Sequence, residues 1–241
     1  AKKSIHMASI GRRKIGVFLS GGLDSSVVAY ELKKVIGEAN TFTNRMVPNY
    51  IHPKDGDHNE DADCAEVLAR DNNFNHTEVT ITPEIVKQYW NDSIYYMEQP
   101  VYSPSLAMYC YTNKALHDNG IVVTMAGDMG DEVLGGYPKY WKLRKEQLNS
   151  WTDVIDKWIN RIKRPIKVYD KLKLREELLK CYPDDLWNPN DPIGSYMALD
   201  CVAQVPEEFF MRNDKYGMAY SMEGRFPLAT KTFMQYCMNI H

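Results

Sequence analysis

Apolar residues fall into two alternating periods along the first half of the chain. Lys14–Ser20 (KIGVFLS) is a short, continuous apolar run, the pattern of a strand buried on both faces. Gly21-Gly22 ends it. Asp24–Ile36 then repeats apolar residues at helical spacing, with Val27, Val28, Leu32, Val35 and Ile36 expected inward. Asn40–Thr43 reads as a second strand. Met46–Asn59, with its prolines and Lys54-Asp55-Gly56-Asp57, reads as a loop. Glu60–Asn73 follows as a helix with Cys64, Val67 and Leu68 inward, and His76–Ile81 as a third strand by alternation. Thr82-Pro83-Glu84 starts a helix, Thr82 as N-cap and Pro83 in the first turn. Ser105–Asp118 is a further helix stopped by Asn119-Gly120, and Ile121–Met125 is the fourth and most apolar strand. Beyond about Tyr137 strand signals vanish, and Trp151–Ile162, Val168–Cys181 and Tyr196–Phe210 all read as helices.

This rhythm predicts an α/β fold: a parallel twisted sheet with helices on both faces, followed by a helical C-terminal part. The sheet part is expected over about 12–137 and the helical part over about 138–241. Residues 1–11 read as the tail of a helix or an expression remnant.

Composition adds exclusions. With 44% hydrophobic, 12% aromatic and 25% charged residues, the 241-residue chain reads as ordinary globular protein rather than disordered. A net charge of −3 gives no broad basic footprint, so no nucleic-acid partner is expected. Apolar runs such as Val17–Leu19 and Gly120–Ala126 fall far short of the ~20 residues of a membrane helix, and no secretory signal opens the chain. Cys64, Cys110, Cys181, Cys201 and Cys237 are scattered without a CxxC pair, which argues for a reducing, cytoplasmic setting. The six histidines lack metal-ligand spacing. Lys142–Lys145 and Arg161–Arg164 read as solvated helix faces, and the aromatic-rich stretch Tyr89–Tyr111 as helix packing.

Chemistry concentrates in two glycine-rich turns. Ser20-Gly21-Gly22-Leu23-Asp24-Ser25-Ser26 joins the first strand to the first helix, at the carboxyl end of a parallel strand, where open α/β sheets bind ligands. Paired glycines let backbone N–H groups approach an anion, the helix N-terminus adds partial positive charge, and three serines add hydroxyls. No lysine follows the glycines, so this is not a Walker A loop. Asp24 would repel a phosphate unless a cation lay between them, which implies Mg²⁺. The second turn, Ala126-Gly127-Asp128-Met129-Gly130-Asp131-Glu132-Val133-Leu134-Gly135-Gly136-Tyr137, follows the fourth strand with three acids and four glycines. Acids clustered there repel one another unless a cation is bound.

SGGLDSS after a VFLS strand resembles the pyrophosphate loop of ATP pyrophosphatases, which split ATP between the α and β phosphates and adenylate a substrate. Argininosuccinate, GMP and NAD synthetases and tRNA-thiolating enzymes carry variants of it. The second turn resembles the SGDGGDELFGGY signature of the asparagine synthetase family. Arg212-Asn213-Asp214-Lys215, followed by Met218-Ala219-Tyr220-Ser221-Met222-Glu223-Gly224-Arg225-Phe226-Pro227, is similar to that family's D-R-x-S-M-A-x-S-x-E-x-R-x-P segment. Glu98-Gln99-Pro100, Ser103-Pro104-Ser105 and Asp61-Ala62-Asp63 resemble further family stretches, and the likeness runs over about residues 12–230. Departures exist: the signature's Ser is Ala126, the later Arg and Ser are Lys215 and Gly217, and the family's F-L-D reads Leu228-Ala229-Thr230. A glutaminase domain with an N-terminal cysteine, and a lysine segment (K-x-x-L-R), belong to the family but are not found between residues 1 and 241.

The resemblance implies an ATP-dependent carbon–nitrogen ligase of the AMP-forming kind, with ATP and Mg²⁺ required. Leu19, Ser20, Gly21, Gly22, Asp24, Ser25, Ser26, Asn44, Ala126 and Gly127 would bind ATP, with adenine on the backbone near Leu19, Asn44 and Gly127. Asp24 and Asp131 would hold the metal, and Asp128, Asp131 and Asp24 would be catalytic. Asp128, at the ordinary aspartate pKa of about 4, would orient ammonia. Glu132, Asp214, Glu223 and Arg225 would support the substrate site, the last three also reading as a buried ion-pair network. Aspartate and ammonia are the implied substrates, with a separate or upstream glutaminase as a partner and the oligomeric state open. Lactam-forming relatives carry tyrosine at the position of Asp128, which favours asparagine formation. The alternatives are a related amidotransferase or cyclase with another acceptor, such as a sugar, lactam or peptide, or a degenerate nucleotide-binding module.

Overall fold

The computed structural model describes residues 1–47, 59–99, 103–161, 171–182 and 184–240. In chain order the elements are α1 (Lys2–Ala8), β1 (Ile15–Phe18), α2 (Leu23–Ile36), β2 (Asn40–Met46), α3 (Glu60–Asp71), β3 (Asn75–Ile81), α4 (Pro83–Gln88), α5 (Trp90–Met97) and α6 (Ser105–Asp118). Then follow β4 (Val123–Met125), α7 (Gly130–Leu134), α8 (Pro138–Leu143), α9 (Trp151–Asn160), α10 (Lys171–Cys181), α11 (Pro192–Leu199), a π-helical stretch (Asp200–Phe210), α12 (Met211–Ala219), β5 (Glu223–Arg225) and α13 (Lys231–Met238). They form two compact units: Ala1–Asp128 with Glu207–Met234, and Met129–Pro206 with Gln235–His241.

The first unit is built on a five-stranded, all-parallel sheet in the order β3-β2-β1-β4-β5. β1 and β4, the predicted apolar strands, are central and buried. The chain moves outward from β1 to β2 and β3, then returns to the other side of β1 to lay down β4. The switch in strand order therefore falls between β1 and β4, and the crevice outside their carboxyl ends is where such sheets take ligands. Thr82 caps α4 as expected, accepting a hydrogen bond from the Ile85 N–H at 3.3 Å. The aromatic stretch packs in a core of Tyr89, Met97, Leu106, Ala107, Cys110 and Tyr216.

Four expectations need correction. β5 is a strand beyond Tyr137; Glu-Gly-Arg has neither an apolar run nor alternation, and its place at the sheet edge beside β4 is set by ladder bonds rather than by composition. α3 buries Ala62, Ala65 and Ala69, not Cys64, Val67 and Leu68. Small residues let its backbone come close enough that a Cβ on Gly21 would lie 2.5 Å from the Asp61 carbonyl oxygen. On α2, Val28 and Leu32 are buried as expected, but Val35 and Ile36 are exposed. Residues 1–11 are no mere appendage: Ile5 is fully buried, Ser4 Oγ lies 3.0 Å from Thr230 Oγ1, and Arg225 donates to the Ala8 and Ile10 carbonyls at 2.6 and 3.0 Å. Most of the predicted loop Met46–Asn59, the end of the predicted helix at Ile162, and the start of the helix expected at Val168 lie outside the described residues.

The second unit is helical. Tyr140, Leu143, Trp151, Val154, Ile155, Ile159, Tyr196, Leu199 and Ala203 make its core. Its π-helical stretch contains Pro206, which has no N–H to donate to a regular ladder.

If α1 is part of the fold, Ile5→Ala should lower stability by about 2–4 kcal/mol, the usual cost of hollowing a core. Urea unfolding checks this; an unchanged midpoint would mean that α1 contributes no core.

Candidate active site

The glycine turn holds itself open by its serines. Ser25 Oγ donates to the Gly22 carbonyl at 3.1 Å, lies 3.0 Å from Ser20 Oγ and accepts from the Ser20 N–H at 3.2 Å. Ser26 Oγ also donates to the Gly22 carbonyl, at 2.6 Å. Gly21 takes φ +76°, a left-handed conformation that glycine adopts without strain. Gly22 is the N-cap of α2 and supplies no capping side chain. The first-turn N–H groups of a fourteen-residue helix thus have no side-chain cap from that position, at the sheet's switch point. Asp24 lies half-buried in that same turn.

The end of β4 packs directly on this turn. A Cβ on Gly127 would fall 2.6 Å from the Ser25 nitrogen and 2.8 Å from the Asp24 carbonyl carbon. Only glycine allows that approach. Ala126 is buried beside it. Asp128, next along, is half-buried. Burial pushes its carboxyl above the usual aspartate range, while the Arg212 charge and a hydrogen bond from the Asn213 side chain hold it down. The ordinary pKa expected from sequence is therefore corrected upward, because the turn lies against helix α12 rather than in open water. Arg212 is itself pinned on Tyr109, its guanidinium carbon 4.0 Å from the ring centre and Nη2 donating to the hydroxyl at 3.3 Å.

The second unit holds the rest of the acidic turn. Met129 has φ +87°, a costly conformation for a residue that bears a side chain. Asp131 is half-buried, and burial raises its carboxyl against the pull of Lys139. Glu132 is 1% exposed and accepts from the Tyr137 hydroxyl at 3.0 Å. Burial pushes it up too; its own N–H and Tyr137 oppose that, and the Asp131 charge adds to it. Lys139 pairs with the fully buried Asp200 at 2.7 Å and lies over the Tyr137 and Tyr140 rings. Asp200 also accepts from Tyr140, Trp158 and Arg161 at 2.9, 2.9 and 2.8 Å. Arg161, expected on a solvated face, is thus tied to a buried carboxylate.

The remaining expected residues divide. Leu19 is buried; its N–H donates to the Phe42 carbonyl at 2.9 Å and its carbonyl accepts from the Thr43 hydroxyl. Asn44 accepts from the Thr112 hydroxyl at 2.7 Å. Both lie in the first unit with the glycine turn. Asp214, Glu223 and Arg225 do not form a buried network: Asp214 and Glu223 are exposed, and the Glu223–Arg225 pair at 2.9 Å lies at the surface. Asp214 falls on the outer side of α12, and Arg225 is spent on the carbonyls that end α1. Lys215 instead pairs with Glu98, joining two stretches of the resemblance; Pro100 is outside the described residues. Among the described residues, no three His, Cys, Asp or Glu side chains converge as a ready-made metal cage, and no helix is long and apolar enough to cross a membrane.

Sequence reasoning gave no site role to Arg212, Asn213, Lys139 or Asp200. Arg212-Asn213 opens the third motif but only its later residues were expected in the site; nothing in the spacing of Lys139, Arg161 and Asp200 announces that they meet.

The Asp128 carboxyl, followed by ¹³C NMR, should titrate above the ~3.9 of a free aspartate. Arg212→Met should move it higher still, because the opposing charge is gone and the burial remains. A downward shift would show that Arg212 does not face this carboxylate.

A family model described as Asparagine synthase matches residues 2–241. No curated protein matches the chain. With the glycine turn and the acidic turn leaving adjacent parallel strands, and the match spanning nearly the whole sequence, the chain belongs to the asparagine synthase family of ATP-dependent ligases.

Proposed function

We propose that the protein is an amide ligase that joins ammonia to the side-chain carboxylate of aspartate, with cleavage of ATP to AMP and pyrophosphate. The observation that carries this reading is the side-chain-free N-cap of α2, placed at the switch point and closed by the backbone of Gly127. Such a terminus suits the phosphates of a nucleotide. The Asp24 carboxylate in the same turn suits a cation-bridged triphosphate rather than a bare anion.

A carboxylate is a poor acyl donor because its leaving group would be an oxide. Attack of one aspartate side-chain oxygen on the α-phosphorus breaks the bond to pyrophosphate and leaves an acyl-adenylate. Ammonia then adds at the acyl carbon, the C–O bond breaks, and AMP departs. In this reading the Ser20–Ser26 turn binds and orients the triphosphate, and Gly127 keeps that turn in place. Asp24 and Asp131 would hold Mg²⁺, which supplies charge neutralisation for the phosphates. Mg²⁺ in general takes one or two carboxylates beside substrate phosphates, so carboxylates are the donor type it would use here. Asp128 would take the proton that ammonia sheds as it becomes an amide. Burial raises its pKa, which makes the ionised carboxylate a stronger base than an ordinary aspartate.

Pyrophosphate release and asparagine formation, measured together, separate these roles. Asp24→Ala should abolish Mg²⁺-dependent release. Asp131→Asn should slow release on the order of 10²-fold. Asp128→Asn should release pyrophosphate and yet form amide about 10²-fold more slowly. Release that depends on a carboxylate other than aspartate would move the reading to another acceptor or acyl donor. Equal loss of both steps in Asp128→Asn would remove its role as base.

A further inference from the structure

Within the second unit, the segment that leaves α7 bonds back to both acids of that helix. The Gly136 N–H donates to the Asp131 carbonyl at 3.0 Å, and the Tyr137 hydroxyl donates to Glu132 Oε1 at 3.0 Å. Asp131 and Glu132 are successive residues of α7, so their side chains diverge. Glu132 is buried and engaged by Tyr137, while Asp131 stays half-buried.

The two glycines that follow α7 serve different ends. Gly135 caps the helix at φ +72°, a left-handed conformation that is costly for a residue with a side chain. Among the described residues, the nearest atoms to a Cβ on Gly135 belong to Met197, 3.7 Å away, which is an ordinary contact. Gly136 is the reverse case. Its φ is not positive, so no left-handed turn demands glycine there. A Cβ on Gly136 would overlap Asp131 Oδ1 and lie 2.9 Å from Asp131 Cγ and 3.3 Å from Asp131 Cα. Among the described residues these are the three nearest atoms, and all belong to Asp131. The Asp131 carboxylate thus rests against the bare Cα of Gly136. A methyl group in that place displaces the carboxylate rather than the main chain. The end of a short side chain can swing to another staggered χ1 well, whereas the backbone is tied by the Gly136–Asp131 hydrogen bond.

We infer that Gly136 is a positioning residue for Asp131: its missing side chain is the seat that fixes where the Asp131 carboxylate points. The seat stands on the geometry alone. Its consequence rests on the proposed function, in which Asp131 would hold Mg²⁺ beside the triphosphate.

Crystal structures of the wild-type chain and of Gly136→Ala read the seat without any assay. The Asp131 carboxylate is expected against Gly136 in the first and in another χ1 well in the second. The same χ1 in both, or a wild-type carboxylate away from Gly136, overturns the inference. A Gly136→Ala chain that fails to fold overturns it too, since the carboxylate would then not be the part that yields. Titration of pyrophosphate release with Mg²⁺ reads the consequence. Gly136→Ala should raise the Mg²⁺ concentration for half-maximal release about tenfold, the effect of disturbing a group that orients a metal ligand. Gly135→Ala should instead lower the urea midpoint, through its positive φ, without that rise. Adding Gly136→Ala to Asp131→Asn should slow release no further, because the displaced carboxylate is already gone. An unchanged Mg²⁺ requirement in Gly136→Ala, an equal rise in Gly135→Ala, or a further loss in the double variant overturns the positioning role. Failure of the wild-type chain to release pyrophosphate would overturn the proposed function and leave the crystallographic seat untouched.

Discussion

One tight backbone approach in the first unit joins its two glycine-bearing turns. Gly127, just past β4, presses on the first turn of α2, where a Cβ would come 2.6 Å from the Ser25 nitrogen. Two turns that are 100 residues apart in sequence become one surface because one position carries no side chain. β1 and β4 are adjacent and in register, Val17 opposite Met125, so both turns leave the sheet at the same level. Gly21 repeats the device on the other side of the glycine turn, against the backbone and Cys64 of α3. The serine hydroxyls then fill the turn's internal hydrogen bonds, and the helix's first N–H groups receive no side-chain cap from Gly22. In the proposed function, anion binding would follow from that arrangement rather than from any basic residue.

The acids of the second turn are tuned separately. Asp128 is raised by burial and restrained by Arg212 and Asn213, all within the first unit. Asp131 is raised by burial and restrained by Lys139 within the second. Lys139 does not stand alone: a fully buried Asp200 with four donors fixes its ammonium. A buried carboxylate so fully partnered is costly to assemble and costly to break, and its worth lies in the geometry it imposes. Neighbouring acids in one turn thus meet different surroundings, which is how side chains of one type come to do unlike work.

Much of this was legible in the sequence where local rules prevail. Strong apolar runs marked β1 and β4, glycine pairs marked the turns, and Thr82-Pro83 marked a helix start. The all-parallel sheet follows from the alternation alone. What escaped depends on tertiary partners. β5 is only Glu-Gly-Arg, with no apolar side chain, and pairs along the edge of β4. The buried face of α3 is made of alanines, since a helix that must approach a glycine turn closely needs small residues more than large apolar ones. The supposed ion-pair network of Asp214, Glu223 and Arg225 fails because charge pattern does not reveal burial; the real buried charge, Asp200, carries no local mark. The pKa of Asp128 could not be read from its residue type, because it is set by α12, some 85 residues further along the chain.

The central claim is that these turns activate a carboxylate by adenylation. Aspartate labelled with ¹⁸O in its side-chain carboxylate tests it most directly, with ATP, Mg²⁺ and ammonia supplied and the products followed by ³¹P NMR. Attack by a carboxylate oxygen on the α-phosphorus, followed by C–O cleavage, predicts AMP carrying one ¹⁸O atom from aspartate, together with unlabelled pyrophosphate. ADP and phosphate as products, or AMP free of the label, would contradict it.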